Sequence, residues 1–184
     1  MAYRANRVRR YSDETRYAQV PLPMTTTYTG GCACGAVRYE CSADPMFNWI
    51  CHCRECQRST GGGGAVNAVF HISTVRFVRG EPKFHESTGT TGHKTYRGFC
   101  AECGSPLAAK AALFPQIHGI SVASLDDPGR IKLDANIWTG SVQPWDFLNP
   151  ELPKFSGTPT EDDLASLAKA KAPTQTKTKK ENDT

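Results

Sequence analysis

The sequence predicts a mostly-β domain, and three of its features indicate this fold class. Runs rich in β-branched and aromatic residues recur along the chain at strand length. Turn signals built on Gly and Pro separate these runs. Helical patterns are confined to one or two short segments. Together these features predict many short strands and little helix.

Each predicted element follows from local composition. The predicted strands are eight segments, at 36–41, 47–51, 66–70, 75–78, 83–87, 94–99, 117–123 and 131–138. A short helix is expected over 54–59, directly after Cys53, and the glycines at 61–64 should end it. Thr160, followed by acidic residues, is a candidate N-cap for a second helix over 164–171.

The composition divides the chain into four parts. Residues 1–24 are predicted to be a mobile basic arm, 25–158 the β domain, which holds all eight cysteines, and 159–172 a short peripheral helix. Residues 173–184 contain no apolar residue, so we expect this tail to be disordered. At 184 residues, the chain is long enough to bury a core without help from metal or disulfides.

Charge is concentrated at the two ends. Residues 1–20 and 168–184 each carry a net charge of +3, which leaves −2 for the residues between them. Metal-bound thiolates would make this middle part more negative, which disfavours nucleic-acid binding by the folded domain. No run of about 18 apolar residues is present, so the sequence predicts no membrane span.

Four of the eight cysteines predict a closed structural zinc site. Cys32 and Cys34 form one close pair, and Cys100 and Cys103 form another. Glycines flank both pairs, so each pair can sit on a tight turn and reach one ion at about 2.3 Å. The four thiolates would complete a tetrahedron and join the start of the domain to a later hairpin.

Disulfide bonding and simple burial of free thiols are the alternatives to zinc. The basic N-terminus is not followed by a hydrophobic segment, so no secretory signal is recognised, and we expect a reducing, cytoplasmic location in which disulfides are rare. Import into an organelle stays open. Iron–sulfur ligation is the main competing metal chemistry, but the sequence lacks its usual four-cysteine spacings.

A second group places Cys51, Cys53 and Cys56 within six residues and has no obvious fourth ligand. Three ligands with an open position are typical of catalytic zinc, so these cysteines are the candidate catalytic ligands and the chain is expected to bind two zinc ions. In an alternative interpretation, Cys41 or His52 closes the site. We expect His52 to point away from the ion and Cys41 to lie in the core.

A small-molecule thiol or thiol adduct is the expected partner of the open position. Zinc binds thiolates well and lowers a thiol pKa from about 8.5, whereas bound water would give a hydrolase. If the thiol carries carboxylates, cations should line its approach. The candidates are Arg54 and Arg58 beside the ligand cysteines, and Lys94 and Arg97 on the strand that leads into Cys100. The sequence indicates no particular oligomeric state.

Three ordered motifs carry a family resemblance over about residues 27–150. They are Gly31-Cys-x-Cys-Gly35 followed by Val37-Arg-Tyr, Cys51-His-Cys-x-x-Cys56-Gln-Arg-Ser-x-Gly61, and Phe99-Cys-x-x-Cys-Gly-Ser-Pro-Leu107. These motifs resemble those of the glutathione-dependent formaldehyde-activating enzyme family. The resemblance implies a β-tent of several small coiled antiparallel sheets and the same division of cysteines between two zinc ions. Asn136 stands where typical members have histidine.

The resemblance predicts a zinc-dependent enzyme of the carbon–sulfur lyase type, which joins glutathione and formaldehyde as S-(hydroxymethyl)glutathione. The alternative is a non-catalytic zinc-stabilised interaction module whose basic ends bind an acidic partner, as in the centromere protein V branch. Retention of all three central cysteines favours the enzyme. Methionine sulfoxide reduction on a similar fold would need a redox-active cysteine outside the zinc sites, and Cys41 is the sole candidate.

Overall fold

The computed structural model describes residues 27–171, and strands dominate this part of the chain. Its eleven strands are β1 (Tyr28–Gly31), β2 (Arg38–Cys41), β3 (Phe47–Cys51), β4 (Ala65–His71), β5 (Val75–Arg79), β6 (Lys83–Thr88), β7 (Lys94–Phe99), β8 (Pro106–Ala111), β9 (Ile117–Ser121), β10 (Ala135–Ile137) and β11 (Lys154–Phe155). Helix α1 spans Arg54–Thr60 and α2 spans Glu161–Lys171. The predicted mostly-β class is confirmed. The predicted arm at 1–24 and tail at 173–184 lie outside the described residues.

The strands form two sheets. The smaller sheet has the order β1-β2-β5, and the larger has the order β11-β10-β3-β4-β9-β8-β7-β6. Neighbours are antiparallel except that β10 pairs in parallel with both β3 and β11. The arrangement differs from the expected small antiparallel sheets, because one sheet holds eight strands and includes two parallel pairs. Long connections make parallel pairing possible at that edge.

Strands rich in β-branched and aromatic residues were predicted correctly, whereas strands rich in glycine or alanine were not. The segments predicted at 47–51 and 94–99 coincide with β3 and β7. Three strands were not predicted from the sequence: β1, which ends in two glycines, β8, which is rich in alanine, and the two-residue β11. Glycine and alanine have low β-propensity, so pairing with neighbours decides these segments. The strand predicted at 131–138 is formed over Ala135–Ile137 alone.

Buried residues form two clusters. The first lies between the sheets and includes Tyr39, Phe70 and Ile120, with Cys41 fully buried among them. The prediction of Cys41 as a core residue is therefore confirmed. The second cluster surrounds Cys51, Cys53 and Cys56 and includes residues of β10 and α2. Each group of candidate metal ligands thus contacts a different apolar cluster.

Helix α2 begins at a capping box formed by Thr160 and Asp163. The Asp163 N–H donates to Thr160 Oγ1 at 3.2 Å, and the Thr160 N–H donates to the Asp163 carboxylate at 2.8 Å. The predicted cap is confirmed, and the helix starts at Glu161. Leu164 and Leu167 pack against the cluster around Cys51, so this helix contributes to the wall of a site. Neither described helix has the length and apolar character needed to cross a membrane.

Candidate functional site

The outer cluster consists of Cys32, Cys34, Cys100 and Cys103, and it joins the β1–β2 turn to the β7–β8 turn. The Cys34 sulfur lies 3.5 Å from that of Cys32 and 3.7 Å from that of Cys100. A tetrahedral site with metal–sulfur bonds of about 2.3 Å has sulfurs about 3.8 Å apart, whereas a disulfide requires about 2.05 Å. No disulfide joins any of the eight cysteines, all of which lie within residues 27–171. The spacing therefore fits a four-thiolate metal site.

Two backbone turns shape the outer cluster. In the first, the Val37 N–H donates to Cys32 Sγ at 3.2 Å, and this bond lowers the pKa of the Cys32 thiol. In the second, the Gly104 N–H donates to the Cys100 carbonyl at 2.9 Å, and Gly104 has a φ of 74°. Glycine adopts this left-handed conformation without steric cost. The predicted role of the glycine after Cys103 in a tight turn is therefore confirmed.

The inner trio consists of Cys51, Cys53 and Cys56, which are only 7%, 7% and 5% exposed. Cys51 is the last residue of β3, and Cys53 is the N-cap of α1. The Cys53 sulfur accepts a hydrogen bond from the Cys56 N–H at 3.4 Å. The first turn of the helix thereby returns Cys56 to the other two. The three sulfurs lie within 4.8 Å of one another, and residues 27–171 add no fourth Cys, His, Asp or Glu ligand atom.

Charge favours a metal ion at the inner trio. The Cys51 and Cys56 thiols hydrogen-bond to Cys53 and lower its pKa to about 2, while the same contact with Cys53 raises the pKa of Cys51. One thiolate is therefore stabilised at the expense of its neighbours. Ionisation of all three buried sulfurs requires a compensating cation. Three soft thiolate donors fit a divalent ion such as zinc.

His52 lies between two members of the trio, but its ring faces away from them. Its Nδ1 lies 3.0 Å from a carboxylate oxygen of Asp146 and 3.2 Å from the Gly63 carbonyl, and its Nε2 lies 3.1 Å from Asn136 Oδ1. The predicted orientation of His52 is confirmed. Neither His52 nor Cys41, which lies in the other core cluster, completes the trio.

The loop at 61–64 closes on this histidine. A Cβ at Gly63 would clash with the Asp146 carboxylate, so a larger residue there would displace this side chain from His52. From the other side, Gln57 Nε2 donates to the His52 carbonyl at 2.7 Å and to the Ser141 carbonyl at 2.9 Å. Buried hydrogen bonds therefore hold the loop that carries the trio.

Comparison with known proteins extends the evidence from the motifs. The family model described as glutathione-dependent formaldehyde-activating enzyme matches residues 27–141, which is more than half of the chain. The chain belongs to this family. It is also similar to a Rhodobacter sphaeroides protein of known crystal structure, with 25% identity and a TM-score of 0.43 over 68% of this chain and 98% of that one.

The match to the formaldehyde-activating family covers both cysteine clusters, His52 and Asn136, but it ends before Asp146 and α2. Both of these nevertheless contact the inner site. Sequence reasoning missed Asp146 because it follows His52 by 94 residues and lies in no recognisable motif. Only the folded chain brings the two side chains together.

An apolar cavity of about 230 Å³ lies against the inner trio, and all three cysteines line it. Its walls are mainly apolar and include Phe47, Trp49, Phe114, Ile137, Trp138 and Leu164. Trp138 has a φ of 59°, which makes it the one described non-glycine residue with a positive φ. This left-handed conformation costs a residue with a side chain about 1–2 kcal/mol, so the surrounding packing holds Trp138 in place.

From residue type alone, core packing rather than a pocket wall is predicted for three aromatic residues near the end of the domain, Trp138, Trp145 and Phe147. The structure places Trp138 in the cavity wall. It leaves Trp145 and Phe147 68% and 84% exposed, so core packing is wrong for these two residues. These two residues flank Asp146 in the sequence. Because the Asp146 side chain points inward to His52, the side chains on either side of it point to the surface.

The four cations predicted to line the approach have different positions. Arg97 lines the apolar cavity and donates from a guanidinium nitrogen to Cys56 Sγ at 3.5 Å. Arg54 hydrogen-bonds to Gln57, and Lys94 forms an ion pair with Glu86 at 2.9 Å. Arg58 lines a second cavity instead. Among these four, only Arg97 contacts the trio.

Proposed function

We propose that this chain is a zinc-dependent enzyme of the carbon–sulfur lyase type that forms and cleaves S-(hydroxymethyl)glutathione. The observation that supports this proposal is a buried trio of thiols that opens onto a cavity and, within residues 27–171, has no fourth side-chain ligand. A closed tetrahedron would offer a substrate no coordination position. Membership of the formaldehyde-activating family supports glutathione and formaldehyde as reactants.

Cys51, Cys53 and Cys56 would hold the catalytic zinc, and Cys32, Cys34, Cys100 and Cys103 would hold a structural one. Zinc at the inner trio would bind a thiol, lower its pKa and so present a thiolate at neutral pH.

In the forward reaction, the glutathione sulfur forms a bond to the carbonyl carbon of formaldehyde. The carbonyl electron pair moves to oxygen, which takes up one proton, and the thiol loses one proton, so nothing is oxidised or reduced. The chain itself contributes orientation and exclusion of water. The aromatic walls of the apolar cavity limit access of water to the sulfurs, and Arg97 places a positive charge beside Cys56. The hydrogen bonds around His52 hold the ligand loop in one conformation.

Methionine sulfoxide reduction is disfavoured by the state of Cys41. This thiol is fully buried, and burial raises its pKa to about 12. A redox-active cysteine needs an accessible thiolate, and Cys41 offers neither property.

Metal counting on Cys53→Ser tests the proposal, with Cys41→Ala as the matched control. Wild type and Cys41→Ala should each contain two zinc ions by mass spectrometry and consume formaldehyde in the presence of glutathione. Cys53→Ser should contain one zinc ion, keep its circular dichroism spectrum and lose activity at least 100-fold. If Cys53→Ser does not fold, Cys56→Ser provides the same comparison. Full activity in folded protein that lacks the second ion would contradict the proposal.

A further inference from the structure

A second cavity, of about 550 Å³, lies on the Cys56 side of the inner trio. It shares Cys56 and Arg97 with the apolar cavity, so the two cavities adjoin at these residues. Its lining is more polar than that of the apolar cavity and includes basic side chains. The basic side chains are those of Arg58, His85 and Arg97, and the hydroxyl groups are those of Ser59, Thr60, Ser87, Thr88 and Ser121.

The three basic side chains come from separate elements and converge on this cavity. Arg58 lies in the last turn of α1, His85 on β6 and Arg97 on β7. His85 and Arg97 are register partners in the antiparallel pair, so their side chains project from the same face of the sheet. Directly opposed residues have Cβ atoms about 5 Å apart, which is close enough for both to contact one ligand group.

These basic groups have no acidic partner among the described residues. The ion pairs within residues 27–171 involve other side chains, and the one carboxylate in the lining, Glu55, accepts a hydrogen bond from Thr90 at 3.0 Å. The Arg97 Nε is buried and lacks a hydrogen-bond partner in this part of the chain. A buried unpaired donor is costly, so the Arg97 side chain has hydrogen-bonding capacity that the described residues do not use.

We propose that the cavity lined by Arg58, His85 and Arg97 binds the carboxylate groups of the thiol substrate. This inference rests on the proposed function, because it assumes that the substrate sulfur binds at the inner trio. The walls of the apolar cavity are mainly apolar, so a carboxylate would be stabilised less there than beside Arg58, His85 and Arg97. A volume of about 550 Å³ lies within the usual range for small-molecule sites. The apolar cavity then receives the aldehyde-derived part of the adduct.

Binding of S-methylglutathione, which has no free thiol, tests this subsite without requiring catalysis. Isothermal titration calorimetry on the zinc-loaded protein should show that Arg58→Gln and His85→Gln each weaken binding, by roughly tenfold for Arg58→Gln. The matched control Arg76→Gln removes an arginine from β5, outside both cavities, and should bind as wild type does. The dimethyl ester of S-methylglutathione should bind wild type at least tenfold more weakly and should not respond to Arg58→Gln.

Equal binding of S-methylglutathione by wild type, Arg58→Gln and His85→Gln would overturn the subsite and leave the lyase proposal standing. Formaldehyde consumption with 2-mercaptoethanol but no binding of S-methylglutathione would also overturn it. Conversely, Arg58-dependent binding in a protein that consumes no formaldehyde with any thiol would support the subsite and refute the lyase function.

Discussion

The outer cluster and the inner trio use the same ligand type but differ in sequence range, burial and completeness. The outer cluster joins Cys34 to Cys100 across 66 residues, and two of its four members, Cys34 and Cys103, are exposed. The inner trio comes from six consecutive residues, is buried throughout and opens onto a cavity. Closure by distant ligands suits a structural ion, whereas a local and incomplete site leaves room for a substrate.

The contacts that support the outer cluster and the inner trio also differ in burial. The hairpin that carries Cys32 is tied by Asp126, which accepts hydrogen bonds from Thr29 and Arg38 at the surface. The loop of the inner trio is supported by hydrogen bonds of His52 with the partly buried Asp146 and the fully buried Asn136. Exposed ion pairs contribute little to stability, and buried hydrogen-bond networks contribute more. Substitutions around the two sites should therefore have unequal effects.

The largest effect is expected from Cys100→Ser in the outer cluster. Loss of one ligand should release the structural ion and destabilise the fold by about 4 kcal/mol or more, which lowers Tm by about 10 °C in a chain of this size. Differential scanning calorimetry with zinc counting measures both changes. Ala101→Ser in the same turn is the matched control and should leave both quantities unchanged. A Cys100→Ser protein that melts within about 3 °C of wild type would show that the outer cluster is not a structural site.

Acid should destabilise the core next to the outer cluster through His118. This residue is 6% exposed, pairs in register with Phe70, and its ring nitrogens have no partner in residues 27–171. Burial lowers its pKa to about 4 from 6.5, so the unfolded chain binds an extra proton between these pH values. The contribution of neutral His118 to the free energy of unfolding is therefore fully present above pH 6.5. This free energy falls by up to about 3 kcal/mol as the pH drops to 4.

Urea unfolding of wild type and His118→Leu at pH 7 and pH 4 measures this contribution. Proton-linked metal release affects both proteins equally, so the variant should lose less stability than wild type between the two pH values. Identical losses would assign all of the acid sensitivity to the metal sites.

A smaller effect is expected from Asp146→Asn beside the inner trio. The amide keeps the shape of the side chain but weakens its hydrogen bond to His52, so formaldehyde–glutathione activity should fall by about tenfold while Tm changes little. Asp126→Asn, the same substitution beside the outer cluster, should leave activity unchanged. Equal activity losses in the two variants would remove the distinction between the sites.

The smallest expected effect is the change in the free energy of unfolding caused by Asp126→Asn. The hydrogen bond from Arg38 holds the pKa of Asp126 below its usual value, so its contribution is present above pH 3.8 and is lost as the pH falls through the lowered pKa. Because both side chains are partly exposed, the loss at pH 7 should be under about 1 kcal/mol and smaller still in high salt. Urea titrations at low and high salt measure it, and a salt-independent loss would contradict this account.

Local spacing was sufficient to predict the cysteine groups, the start of α1 after Cys53 and the cap of α2 at Thr160. In each case the relevant atoms lie within a few residues, so chain geometry restricts the outcome. The contact of His52 with Asp146, the place of Leu164 in a cavity wall and the separation of Lys94 from the inner trio were not predicted. Each depends on which strands become neighbours, and no short pattern encodes that choice.

Residue type and short spacing were enough to predict the mostly-β class, the division of seven cysteines into a group of four and a group of three, and the burial of Cys41. Three other features required the folded domain: the contact of Arg97 with Cys56, the meeting of two cavities at these residues, and the hydrogen bond between Asp146 and His52. Side chains distant in sequence meet only after the eight-stranded sheet has placed their strands, because strand order is set by packing over the whole domain.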